Sequence, residues 1–183
     1  MTEKEILLLI ESDPWMMEVL SVANSLELKD WIIGAGFVRN KIWDHLIGKD
    51  AVGVDTPDID LVYFDPDGNN QEEDEKLSKE ISDRTGFNWE IVNEFYAHKW
   101  NNTSPYKSTE DAISQWTETV TAIGVTLDGF NKIKLIAPYG TNDLVNFIVR
   151  PTPAFKDKIE VLKERVQKKR WLEKWPRIRV IED

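Results

Sequence analysis

The chain has 183 residues, with 33 Asp plus Glu against 23 Lys plus Arg, a formal net charge of −10 and no cysteine. Hydrophobic residues at 41% can close a single core at this length, and charged residues at 31% argue against a membrane-embedded chain. Without cysteine there is no disulfide framework, thiolate metal site or cysteine nucleophile, so a divalent ion must rest on carboxylates, carbonyls or the two histidines, His45 and His98.

The opening residues are polar, and the apolar run from Ile6 to Ile10 is too short for a secretory core. No apolar stretch reaches membrane-spanning length, so the expectation is a cytoplasmic protein with no membrane partner. From Pro14, the residues Trp15, Met16, Val19, Leu20, Ala23 and Leu26 recur at helical spacing behind an Asp13 cap. Trp31-Ile32-Ile33 then reads as a strand that ends at Gly34-Ala35-Gly36. A helical stripe follows through Phe37, Val38, Ile42, Leu46 and Ile47 to Gly48.

The polar stretch from Lys49 closes on Thr56-Pro57, where proline favours an extended entry into a second strand of Ile59, Leu61, Val62, Tyr63 and Phe64. Turn chemistry at Asp65 to Asn70 precedes an acidic helix start at Glu72 to Glu75. Phe87 to Phe95 reads as a third strand, Asn101 to Thr109 as a loop and Asp111 to Thr117 as helical. Ala122 to Leu127 and Ile133 to Ile136 resemble a hairpin. Gly140 to Asp143 reads as a helix cap with a structural Asp143. Strands mixed with helices and no repeat argue for an α/β or α+β sheet domain. Trp15, Trp31 and Trp43 fall in core-patterned segments, whereas Trp89 is the least committed of the tryptophans.

Charge is distributed unevenly. Lys156 to Arg179 holds ten Lys plus Arg and four Asp plus Glu, or +6, while the rest carries 13 − 29 = −16. Phe155, Ile159, Leu162 and Val166 supply the docking stripe of a helix whose Lys163, Lys168, Lys169 and Arg170 stay largely exposed. That basic face either is solvated and pairs with the acidic body, or meets phosphate or nucleic acid. The division expected is a sheet domain over 1–153 and a basic helical tail over 154–183 packed on it.

Two short motifs carry the chemistry. Gly34-Ala35-Gly36 lies between a strand and a helix, where glycine lets a phosphate approach the N–H groups at the helix's positive end. Asp58-Ile59-Asp60 opens the next strand, and side chains two apart on a strand share a face, so both carboxylates can hold a hard cation. Either motif alone reads as a turn or a solvated strand edge. In this order, followed by Glu90 on a further strand, they supply a phosphate cradle and clustered anions for one or two metals, which phosphoryl transfer needs. His45 and His98 read as surface or hydrogen-bonded residues.

These residues resemble the signature of the DNA polymerase beta-like nucleotidyltransferase superfamily: a Gly-Gly or Gly-Ser turn, an Asp-x-Asp strand and a third carboxylate. Gly34-Ala35-Gly36-Phe37-Val38-Arg39-Asn40 also looks like the Gly-Gly-x-Val-Arg-Asp element of CCA-adding enzymes. Trp89-Glu90-Ile91-Val92-Asn93 and Ala137-Pro138-Tyr139-Gly140 resemble the bacterial DUF925 group of small nucleotidyltransferase-like proteins. The resemblance implies a mixed sheet flanked by helices, with Asp58, Asp60 and Glu90 as metal ligands and catalytic carboxylates. It implies that Gly34, Ala35 and Gly36 bind phosphate, and that Arg39 contacts phosphate or supports the turn. Magnesium or manganese is the implied cofactor and a nucleoside triphosphate such as ATP the substrate. Ala35 departs from the usual glycine or serine, the gap from Gly36 to Asp58 is longer than in many members, and Glu90 replaces the commoner aspartate. Glu90 could instead serve as a general base, a role that does not require direct metal ligation.

The resulting expectation is a metal-dependent nucleotidyltransferase of the EC 2.7.7 type whose acceptor is a small molecule, a protein or tRNA. Its rival is a nucleotide-binding regulatory protein of the same fold without turnover, which Ala35 and Glu90 favour.

Overall fold

The computed structural model describes residues 1–55, 58–101 and 103–182, and the extended entry expected at Thr56-Pro57 lies outside the described residues. The first helix, α1 (Glu3–Glu11), is one the hydrophobic pattern did not mark. A capping box starts it: the Glu5 N–H donates to Thr2 Oγ1 while the Thr2 N–H donates to the Glu5 carboxylate at 2.6 Å. Ile6 and Ile10, one turn apart, are fully buried. Asp13 caps α2 (Pro14–Ser25), its Oδ1 accepting the N–H groups of Trp15 and Met16.

Next come β1 (Ile32–Gly34), α3 (Gly36–Leu46) and β2 (Ile59–Tyr63). An Asn70 capping box begins α4 (Gln71–Thr85), which ends at Gly86 in the left-handed conformation, φ 75°. β3 (Trp89–Asn93) pairs parallel to β2, with α4 as the crossover helix. Pairing stops at Asn93, short of the Phe95 limit expected from sequence, because α5 (Glu94–Asn101) begins there. After α6 (Thr109–Ser114), β4 (Gly124–Leu127) and β5 (Ile133–Ile136) form the antiparallel hairpin.

The five-stranded sheet has the order β3-β2-β1-β4-β5, mixed in direction. Alternation along the strands sends Ile33, Leu61, Ile91 and Val125 to the face that joins the main helical core. Ile32, Val62 and Ile136 go to the other face, where Ile113 of α6 and Trp116 give partial cover. A cleft opens on this second face, with Val62 and Val92 in its lining.

α7 (Asn142–Val145) leads into β6 (Ile148–Val149). Thr141 stands at the N-cap of α7 without a side-chain cap bond, and Asp143 instead accepts from Thr119 Oγ1 at 2.8 Å and pairs with Arg150. The chain then forms α8 (Ile159–Lys168), α9 (Trp171–Lys174) and β7 (Arg179–Val180), which pairs parallel to β6. Leu162 and Val166 of the expected stripe are buried, joined by Trp171, Trp175 and Ile178 in the same core cluster as the sheet. Trp43 ties the two parts together: its ring stacks on Phe147 and lies 5.7 Å from Trp171 and 5.0 Å from Trp175. Trp89 is buried as well, its indole N–H donating to Thr85 Oγ1.

Candidate functional site

The glycine turn places each of its residues differently. Gly34 ends β1 against Trp116, and a Cβ there would stand 2.9 Å from the indole ring and 3.2 Å from the Ile123 carbonyl oxygen. Close packing therefore requires glycine at that position. Ala35 has φ 52° and ψ −119°, a left-handed conformation that glycine adopts without strain, and its N–H donates to the Ile123 carbonyl at 2.9 Å. α3 starts directly after it with no side-chain cap, and Ala35 and Gly36 line the cleft. The positive end of an 11-residue helix thus faces the opening.

β2 and β3 bring the three carboxylates together. Asp60 and Glu90 are register partners in the parallel pair, and Asp58 lies two residues before Asp60 on the same side. One oxygen from each of Asp58, Asp60 and Glu90 falls within 4.8 Å of the others, and all three line the cleft. Burial pushes the Asp60 carboxyl up to about 7, reinforced by the charges of Asp58 and Glu90 and opposed by Arg39 and Lys169. Among the described ion pairs none includes Asp60 or Glu90. Clustered hard oxygens in mutual repulsion, at the edge of a wide cleft, fit a divalent cation such as magnesium or manganese.

Arg39 is buried on the first turns of α3. Its Nη1 donates to Thr121 Oγ1 at 2.9 Å, its Nε to Asn40 at 3.2 Å, and its guanidinium lies 4.3 Å from the Trp171 ring centroid. Burial lowers its pKa to about 10, while Glu118, Asp60 and Asp58 hold the charge in place. It still lines the cleft, so the contacts seen here brace the turn and leave its charge close to the carboxylates.

The charge asymmetry of the sequence becomes a wall. Lys158, Arg165, Lys168, Lys169 and Lys174 all line the same cleft as the carboxylates. Arg165 is anchored by the fully buried Glu118, Nε to Oε1 at 2.6 Å. Lys174 reaches Asp55 at 2.9 Å. Sequence reasoning found the basic helix but not that its lysines face the acidic strands, because that depends on how α8 and α9 dock. Glu94 and Glu118 were also missed. Glu94 continues the alternation of Glu90 and Val92, and extending that period by one step would have found it. His45 pairs with Asp50 at 2.5 Å and His98 with the Phe95 carbonyl at 2.8 Å, both apart from the cleft lining.

The whole cleft measures about 930 Å³. The profile of a family described as nucleotidyltransferase matches residues 21–180. A structure described as revealing a CCA-adding enzyme head domain, solved by NMR, is 38% identical, covers 98% of this chain and 96% of its own, and superposes with a TM-score of 0.88. A CCA-adding enzyme in complex with CTP is 17% identical over 98% of this chain and 43% of its own, TM-score 0.59. The Thermotoga maritima CCA-adding enzyme complexed with tRNA is 16% identical over 95% of this chain and 42% of its own, TM-score 0.58. The chain thus spans less than half the length of these two enzymes, which share its fold. No curated protein sequence matches. No described helix is long and apolar enough to cross a membrane.

Proposed function

Because the chain belongs to the nucleotidyltransferase family, we propose that its cleft transfers a nucleoside monophosphate from a nucleoside triphosphate to an acceptor hydroxyl, in a metal-dependent reaction of the EC 2.7.7 type. The observation that carries this reading is the convergence of Asp58, Asp60 and Glu90 within 4.8 Å at the cleft that α3 opens onto. A magnesium or manganese ion held by these three carboxylates would supply a Lewis acid that acidifies the acceptor hydroxyl and neutralises charge on the phosphates.

The chain's own groups do the rest. Backbone N–H groups at the start of α3 receive phosphate oxygens, which Ala35 and Gly36 leave room to approach. Lys158, Lys168 and Lys169 place positive charge in the cleft where the departing pyrophosphate gathers negative charge. Arg39 keeps a fixed cation beside Asp60. An acceptor oxygen forms a bond to the α-phosphorus as the bond from that phosphorus to the bridging oxygen breaks, and pyrophosphate leaves. In this reading Glu90, which is exposed to solvent, takes the hydroxyl proton and passes it to water.

Binding of a nonhydrolysable ATP analogue to the purified protein, measured calorimetrically with and without magnesium, tests the reading. Magnesium-dependent binding should disappear in the Asp58→Asn, Asp60→Asn double variant. Unchanged binding in that variant rules the site out. Ala35, held where glycine is preferred, favours a second reading, a regulatory nucleotide-binding protein without turnover. That reading prevails if the analogue binds but ATP, CTP, GTP and UTP yield no pyrophosphate with any acceptor.

A further inference from the structure

The cleft extends beyond the carboxylate cluster. Along the open sheet face, Asp60 and Glu90 give way to the register pair Val62 and Val92, and then to Glu94 at the start of α5. Four residues at strand rise put Glu94 roughly 13 Å from Glu90 along the backbone. Tyr106, Gln115 and Trp116 line the cleft with it. Glu94 is only 4% exposed, yet it borders the cleft, and the indole N–H of Trp116 lies within its reach. Burial pushes its carboxyl up to about 7, and none of the described ion pairs includes it. Asp60, by contrast, has Arg39 and Lys169 among the charges acting on it.

In-line displacement puts the attacking and leaving oxygens on opposite sides of the phosphorus. With the pyrophosphate at the α3 N-terminus and the basic wall, the acceptor enters from the far side, over Val62 and Val92. A carboxylate buried without a cation is costly to keep ionised, and a ligand cation recovers that cost through a charge-assisted hydrogen bond. The Trp116 indole N–H bonds the carboxylate and holds it in place to receive such a charge.

We propose that the acceptor is an alcohol bearing a protonated amine, seated with its hydroxyl at the carboxylate cluster and its ammonium group on Glu94 between Trp116 and Tyr106. This rests on the nucleotidyl-transfer reading and names the substrate class of the same site. The separation between cluster and Glu94 selects acceptors whose amine and reacting hydroxyl stand several bonds apart, as in aminated polyols.

The test is calorimetric binding at pH 8 of kanamycin, glucosamine and ethanolamine to the protein loaded with magnesium and a nonhydrolysable ATP analogue. Their neutral counterparts are N-acetylated kanamycin, glucose and ethylene glycol. At least one amine probe should bind tenfold more tightly than its neutral counterpart. Glu94→Gln should weaken that probe tenfold or more with analogue affinity unchanged, and Glu94→Asp should restore part of the loss. No preference for amines, indifference to Glu94→Gln, or a tRNA transcript that binds while no amine probe does would each overturn the proposal. Failure of the analogue itself to bind removes the nucleotidyl-transfer reading, whereas analogue binding without amine preference removes this inference alone.

Discussion

Asp13 and Asp60 are both carboxylates drawn out of bulk water, and they are built on opposite plans. At the start of α2, Asp13 is 3% exposed and fully provided with donors: the N–H groups of Trp15 and Met16, the Gly53 N–H at 2.7 Å, and Lys41 Nζ at 2.5 Å. Burial alone would raise its pKa, yet the Lys41 and backbone hydrogen bonds outweigh burial and hold it below the usual aspartate value. At the cleft, Asp60 is surrounded by Asp58 and Glu90, and burial and repulsion drive its pKa upward to about 7. A carboxylate that supports the fold arrives with its partners. One that awaits a ligand raises the energy of the empty protein, as the crowding of Asp60 by Asp58 and Glu90 does.

The largest effect expected from this contrast is at the supportive site. Among the described residues, Asp13→Ala leaves Lys41, 7% exposed, with one acceptor at the Ala51 carbonyl and no ion-pair partner, and it removes the cap of α2. Urea unfolding should show a loss of about 3–5 kcal/mol, the range for breaking a buried ion pair by removing one partner. A loss below about 1 kcal/mol would mean that Lys41 reaches water once Asp13 is gone. Because the folded pKa of Asp13 is depressed, its stabilisation is present above the unfolded value and fades as pH falls through the folded one.

Asp60→Asn should move stability the other way. A carboxyl whose folded pKa is about 7, against 3.8 for a free aspartate, favours folding most when protonated, so its contribution falls as pH rises between those two values. Glu94, also at about 7, pulls in the same direction. At pH 8 the Asp60→Asn protein without metal should therefore be more stable than the parent by about 1–4 kcal/mol, the upper end being the full shift converted at 1.36 kcal/mol per unit. Magnesium should raise the melting temperature of the parent and leave that of the variant in place. A loss of stability on substitution would place Asp60 among the supportive carboxylates, and equal stability would mean that the empty protein bears no cost there.

The sequence exposed the parts of this site that follow a local period. Ile32-Ile33 and Leu61 to Tyr63 read as strands because apolar residues run together there, and Asp58 and Asp60 share a face by strand alternation alone. What could not be read was fixed by docking. Lys168 and Lys169 follow the same helical pattern as any solvated face, and only the burial of Leu162, Val166 and Trp171 turns them toward the acidic strands. α1 was hidden because its apolar residues form one short cluster, although Thr2 and Glu5 carried the capping-box signal. α5 was hidden because Glu94 extends the strand alternation for one residue past the point where pairing ends. Gly34 was legible as a special position for a different reason from the one that holds there, since the Trp116 ring occupies the space its side chain would need.

The smallest effect, and the finest test of the contrast, lies at the glycine turn before α3. Ala35 adopts φ 52° and ψ −119°, and its neighbours fix it there: its N–H is bound to Ile123, and its carbonyl accepts the Arg39 N–H at 3.0 Å as the first bond of α3. Alanine in that conformation is strained by roughly 1–3 kcal/mol, while glycine adopts it freely but has more freedom to lose on folding, by up to about 1 kcal/mol. The net expectation for Ala35→Gly is a gain of about 1 kcal/mol in urea unfolding. If the strain also holds the α3 N–H groups slightly away from a phosphate, the same variant should bind the nonhydrolysable ATP analogue several-fold more tightly. A stability gain without an affinity gain would show that the methyl group fits beside the bound phosphates, and that the strain at this turn belongs to the fold and not to the cleft.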